Sequence, residues 1–159
     1  MQFDINPFPN DLDRNELWEM LVRRDLDAFL SQNWGMVEGD FLADRFFGLH
    51  AHGRRNPDSW RLEFPNLEAY RDEWLRQAAE TAKTDYAEAL RDALFRATSL
   101  RDIEIGRGVA VLHKKFDGVV RRADGGEDRL NWQTLYFCAK PQDRWQITSF
   151  IGYLPHPLG

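Results

Sequence analysis

Apolar residues recur at three- and four-residue steps near the start of the chain and at two-residue steps near its end, so the sequence changes period once. Leu17, Trp18, Met20, Leu21, Val22, Leu26, Phe29 and Leu30 form the first pattern, and predict an amphipathic helix reaching about Gln32. Asp13 with Glu16 three residues on supplies a carboxylate capping box for its start. Residues 34–40 read as a second short helix, interrupted by Gly35 and Gly39 and set at an angle to the first. In the stretch FFGLHAH, residues 46–52, a short strand places Leu49 and Ala51 on one face and His50 and His52 on the other. Residues 53–59 form a turn-rich loop, and WRLEF at 60–64 a further short strand. Asn66 then caps a helix whose buried stripe is Leu67, Tyr70, Trp74, Leu75 and Ala78, ending near Lys83, with a further turn or two of helix between Thr84 and Asp92.

Four long strands follow, at residues 94–105, 108–116, 128–139 and 144–153. Gly106-Arg107-Gly108, Ala123-Asp124-Gly125-Gly126 and Pro141-Gln142-Asp143 make the connections tight, the pattern of an antiparallel meander. Helices first and strands last give an α+β layout with the helices gathered on one side of the sheet. A sheet covered on one face alternates apolar with polar. Here Leu130, Trp132, Tyr136 and Cys138 face one way, and Leu135, Phe137 and Ala139 the other. The last strand is equally two-sided: Trp145, Ile147, Ser149, Ile151 and Tyr153 alternate with Gln146, Thr148, Phe150, Gly152 and Leu154. Helices cannot cover both faces in a chain of this length, so a homodimer through the outer sheet face is expected.

Composition narrows the function classes. At 159 residues the chain is expected to form a single domain, residues 13–159, behind an irregular lead-in at 1–12 whose Phe3, Ile5 and Phe8 pack onto the body. The net charge of −5 argues against nucleic acid, because the longest basic runs are pairs, each near acidic residues. No apolar run approaches the roughly 18 residues of a membrane span. Cys138 is the only cysteine and the N-terminus lacks a signal-peptide pattern, which suits a reducing, cytoplasmic setting. With no glycine-rich phosphate loop after a strand, no nucleotide cofactor is expected.

The order DRNELWEMLVRRDLDAFLSQNW, GMVEGDF, FFGLHAH, NLEAYRDEWLRQA and a meander ending WQITSFIGYLP resembles the nuclear transport factor 2-like superfamily of cystatin-like folds, in particular its SnoaL-like bacterial members. The resemblance runs from about residue 13 to residue 154. It implies a curved sheet wrapped around the N-terminal helices and enclosing a cone-shaped cavity, with dimerisation through the outer face. Members include isomerases, cyclases, dehydratases, stress-related binding domains, protein-binding modules and dioxygenase small subunits. Their enzymes place a carboxylate or histidine base and Tyr, Asp or Trp donors in an apolar cavity. Neither the isomerase set of one Tyr and two acids nor the Asp-Arg-Asp set of the epoxide hydrolases maps onto this chain.

Eight polar side chains are candidates to face such a cavity. His50 and Asp40 are the candidate bases, His50 for its depth in the strand and Asp40 for its place after the second helix. His52, Tyr70, His113, Trp132, Tyr136 and Tyr153 are the candidate ligand-binding groups. His50 and His52 have metal-ligand spacing without a third ligand near in sequence, so no metal is expected. The expected partner is a small, mostly apolar or aromatic ligand, bound with or without cofactor-free acid/base chemistry. The competing reading is a non-catalytic interaction or assembly module.

Overall fold

The computed structural model describes residues 2–158. The first helical stretch is continuous but not uniform: α1, Leu12–Trp18, runs through a π-helical segment, Glu19–Arg24, into α2, Asp25–Leu30. Its cap is Asp11, whose side chain accepts from the Arg14 N–H, and not Asp13. Asp13 and Glu16 are instead drawn to the far end of the chain. The Asp13 carboxylate accepts from the Trp145 indole N–H at 2.9 Å and from Lys140 Nζ at 3.0 Å, and Glu16 accepts from the Trp145 backbone N–H. Trp145 is fully buried, so its N–H groups need partners, and two carboxylates on one helix flank supply them.

Residues 34–40 form two 3-10 turns, Trp34–Met36 and Glu38–Asp40, where one short helix was expected. Then come β1, Phe47–His50; β2, Arg61–Phe64; α3, Leu67–Ala82, capped by Asn66 as expected; and α4, Leu90–Ala97. The meander is β3, Thr98–Ile105; β4, Val109–Arg121; β5, Glu127–Ala139; and β6, Gln146–Leu154. The expected strand at residues 94–105 is thus helix for its first four residues. Ala93, Leu94, Phe95 and Ala97 are all buried around an exposed Arg96, and so short a run is too brief for its period to separate helix from strand.

All six strands form one sheet in the order β2-β1-β6-β5-β4-β3, antiparallel except where β1 pairs with β6. This is an α+β fold, with the helices laid in the hollow of a curved sheet. Register fixes the two faces. On the inner face Leu112 pairs with Tyr136 and Tyr136 with Phe150, while Lys114 pairs with Thr134 and Phe116 with Trp132. Phe150 lies against Gly48, where an added Cβ would stand 2.9 Å from the Phe150 ring. On the outer face Val111 pairs with Phe137 and Phe137 with Ser149, and His113 pairs with Leu135 and Leu135 with Ile151.

Strand β6 does not alternate as its sequence suggests. Its pairing with β5 slips twice, between Ile147 and Ser149 and between Ile151 and Leu154, each time by one extra residue in β6. Each bulge shifts the phase of the strand and adds local twist. Ile147, Phe150 and Tyr153 therefore all meet the inner side, at three-residue steps, and Tyr153 no longer shares a face with Ile151. The second bulge holds Tyr153 at φ 56°, a left-handed conformation that a bulky side chain adopts only under constraint.

The Asp13 clamp makes a pH-dependent prediction. Bonds from Lys140 and then Trp145 lower the Asp13 pKa, so its contribution is complete above the unfolded carboxylate value of about 3.9 and is lost as pH falls through the folded value. Asp13→Asn should cost about 1 kcal/mol at pH 7, a modest figure because the carboxylate is partly solvated. The gap should narrow in denaturant titrations as pH falls from about 3.9 through the folded value. A deficit that stays constant through the acid range would remove the charge from the explanation.

Candidate functional site

A cavity of about 550 Å3 lies between the helices and the inner sheet face. Helices α2, α3 and α4 give it Phe29, Tyr70, Trp74 and Leu94, and the sheet gives it Phe116, Leu130, Trp132, Tyr136, Phe150 and Tyr153. The volume falls within the range of small-molecule sites, and aromatic walls dominate it.

Its polar groups begin with an ion pair. Lys114 Nζ donates to Asp25 Oδ2 at 2.8 Å, and the Trp74 indole N–H donates to Asp25 Oδ1 at 3.3 Å. The lysine side chain is 2% exposed and the aspartate 29%, so the carboxylate is the more open half of the pair. Lys114 also sits 5.3 Å from the centre of the Phe116 ring, a cation–π contact. Thr134 is opposite Lys114 in the ladder, and Tyr136 follows two residues on. The side-chain hydroxyls of Thr134, Tyr136 and Tyr70 have no hydrogen-bond partner among the described residues. Burial first, and then neighbouring charges and phenols including Asp25, push the Tyr70 and Tyr136 phenols well above the ordinary range, so both remain O–H donors at any working pH.

Of the eight candidates, Tyr70, Trp132, Tyr136 and Tyr153 line this cavity. His50 and His52 do not. They border a shallower recess of about 300 Å3 on the far side of Tyr153 and Trp132, which line both spaces. Five rings make a near-parallel column from one space to the other. Phe116 stacks on Trp132 at 4.7 Å, Trp132 on Tyr153 at 5.7 Å, Tyr153 on His50 at 4.2 Å and His50 on His52 at 3.9 Å. The Tyr153 hydroxyl is held by the Gln77 side-chain amide, with Nε2 2.7 Å away. His50 Nδ1 accepts the His52 backbone N–H at 3.0 Å, and His52 Nε2 lies 2.9 Å from Glu63 Oε1. Among the described residues no group of three or more His, Cys, Asp or Glu is arranged to hold a metal.

Asp40 and His113 are placed elsewhere. Asp40 is 2% exposed, and its carboxylate accepts from Arg24 Nε and Nη2, each at 2.8 Å, and from Arg144 Nη2 at 2.5 Å. With both oxygens engaged it ties the second 3-10 turn to the helix and to the β5–β6 turn, outside the cavity. His113 belongs to the outer sheet face and bonds Gln133 Oε1 through Nδ1 at 2.8 Å.

The residues that sequence reasoning missed are Asp25, Lys114 and Thr134. Lys114-Lys115 reads as a solvated basic pair, yet Lys114 falls in phase with Ala110, Leu112 and Phe116, and a lysine in the apolar phase of a long strand is the signal. Asp25 likewise sits one helical turn from Leu21 and from Phe29, on a flank that already holds apolar groups.

No protein-family model matches the chain, and no curated protein matches it in sequence. Solved structures do match in shape. A nuclear transport factor 2-like protein of unknown function from Pseudomonas putida superposes with a TM-score of 0.57 at 13% identity, over 88% of this chain and 84% of that one. A nuclear transport factor 2-like superfamily protein from Salmonella enterica gives 0.54 at 16% identity over 88% and 89%. The beta subunit of the benzoate 1,2-dioxygenase from Burkholderia mallei gives 0.57 at 15% identity over 91% and 90%. At these identities the likeness is one of fold: the chain has the nuclear transport factor 2-like fold.

His50 offers a direct check of the ring column. Burial, and then the neighbouring His52, lower its pKa. The folded state therefore binds fewer protons there than the unfolded chain, and stability falls as pH drops from about 6.5 through the folded value. In proton NMR the His50 ring should titrate below 6.5, and His50→Phe, which keeps a ring in the stack, should show a flatter stability profile between pH 7 and pH 5. Titration at or above the free imidazole value would contradict the packing described.

Proposed function

We propose that the protein binds a small, mostly apolar, ring-bearing molecule in the aromatic cavity. The observation that carries this reading is the set of polar groups on the cavity wall, one partly open carboxylate and three hydroxyls without protein partners. None of the three hydroxyls is sealed from open space, whereas in a closed core each unpaired polar group would cost roughly 1–3 kcal/mol. Such an arrangement suits cofactor-free acid/base chemistry of the isomerase, dehydratase or cyclase type. Asp25 takes the proton from a carbon next to a carbonyl, and a Tyr136 or Tyr70 hydroxyl donates to the enolate oxygen that forms. Lys114 and Trp74 act as positioning residues that orient the carboxylate. This role passes to Asp25 from His50 and Asp40, whose side chains do not line the cavity.

Tyr136→Phe separates a ligand role from a structural one. The lost hydroxyl has no protein partner, so stability should hold or rise slightly, while affinity for an oxygen-bearing aromatic probe should fall by up to about tenfold, one hydrogen bond's worth. Unchanged affinity would remove Tyr136 from the site.

The outer sheet face supports the homodimer. Phe47, Leu49, Val111, Leu135, Phe137 and Ile151 share it by register, and Phe47 is 45% exposed. Ile151→Glu should convert a dimer to a monomer by light scattering while leaving the cavity intact. A wild-type protein that is already monomeric at high concentration would overturn this part. Among the described residues no helix is long and apolar enough to cross a membrane, and a buried Cys138 whose thiol is pushed up to about 12 suits a cytoplasmic setting. A second reading, an assembly subunit of a larger enzyme, rests on the likeness to the dioxygenase beta subunit. Stable co-purification with a second chain would favour it.

A further inference from the structure

Resting on the ligand-binding reading above, the geometry points to a charge filter: the Asp25–Lys114 pair restricts the cavity to ligands whose polar end is uncharged, a hydroxyl or carbonyl on a ring system, and rejects the matching acids and amines. The reasoning is one of charge balance inside a low-dielectric space. The ammonium and carboxylate are 2.8 Å apart and answer each other. The hydroxyls of Tyr70, Thr134 and Tyr136 on the same wall are neutral, as are the Tyr153 hydroxyl and the Gln77 amide. The phenols are held in their neutral form by burial. Donors from these hydroxyls and acceptor positions on Asp25 satisfy a neutral oxygen function at little cost. A ligand carboxylate would compete with Asp25 for the Lys114 ammonium, and a ligand ammonium would compete with Lys114 for the Asp25 carboxylate. Either guest leaves one buried charge without a partner, which is the expensive state.

The rim does not compensate. Glu73, Glu80, Glu127 and Asp128 line it against Arg76 and Arg129, and Glu73 is engaged by Arg76 through two nitrogens. No excess of positive charge waits to accept an anion. A cation passing the carboxylates would still meet the Lys114 ammonium beside Asp25. Selectivity therefore comes from the inner pair.

A matched series decides the matter: naphthol, naphthoate and naphthylmethylammonium share one bicyclic ring system and differ in charge at pH 7. Calorimetry on the full chain should find naphthol bound at least about tenfold more tightly than either ion. Lys114→Met leaves the Asp25 charge unanswered, so the ammonium should gain on naphthol. Asp25→Asn leaves Lys114 unanswered, so naphthoate should gain. The double variant Asp25→Asn with Lys114→Met should return to a preference for naphthol. If one single variant fails to fold, the wild-type series and the double variant still decide. Three probes bound within about threefold of one another would overturn the filter while leaving the ligand-binding reading intact. If none of the three binds, the ligand-binding reading falls, and the filter with it.

Discussion

A lysine in the middle of a sheet's apolar face must find a carboxylate, and in this chain the carboxylate comes from the helix layer. The contact between Lys114 on β4 and Asp25 on α2 is a polar tie across the hollow of the sheet. Pairs of this kind add little net stability against an apolar alternative, but breaking one costs several kcal/mol because the survivor is left charged and dry. The pair thus fixes how the first helical stretch sits over the sheet.

Curvature supplies the rest of the cavity. Two bulges in β6 bring Ile147, Phe150 and Tyr153 to the same side, and of these Phe150 and Tyr153 form part of the cavity wall. Tyr153 at positive φ is held there from both sides, by the Gln77 amide inside and by the face of His50 outside. The ring column that results makes a partition one side chain thick. It separates the inner space from the histidine recess, and explains why imidazoles so near the cavity do not enter it.

Much of the fold was legible because period and turn chemistry agree in this sequence. The Asn66 cap, the three-four spacing of Leu67, Tyr70, Trp74 and Ala78, and the glycines around Arg107 each point to the structure that forms. The failures have a common cause, which is that a local pattern cannot report a distant partner. Asp13 and Glu16 look like a capping box until Trp145 needs two acceptors. Asp40 looks like a cavity carboxylate until two arginines from separate elements enclose it. Tyr70, Trp132, Tyr136 and Tyr153 were recognisable as wall residues because aromatic bodies with polar tips suit that place. Asp25 and Lys114 were not, because a charged residue reads as solvent-facing unless its phase in the strand or helix is weighed above its type.

The most direct test of this account is a crystal structure of the protein grown with naphthol. The account predicts the ring against Phe116 and Trp132, with the oxygen within hydrogen-bonding distance of Asp25, Tyr70 or Tyr136, and the Asp25–Lys114 contact intact. A cavity closed by its own side chains, with the probe absent from it or lodged only beside His50 and His52, would contradict it.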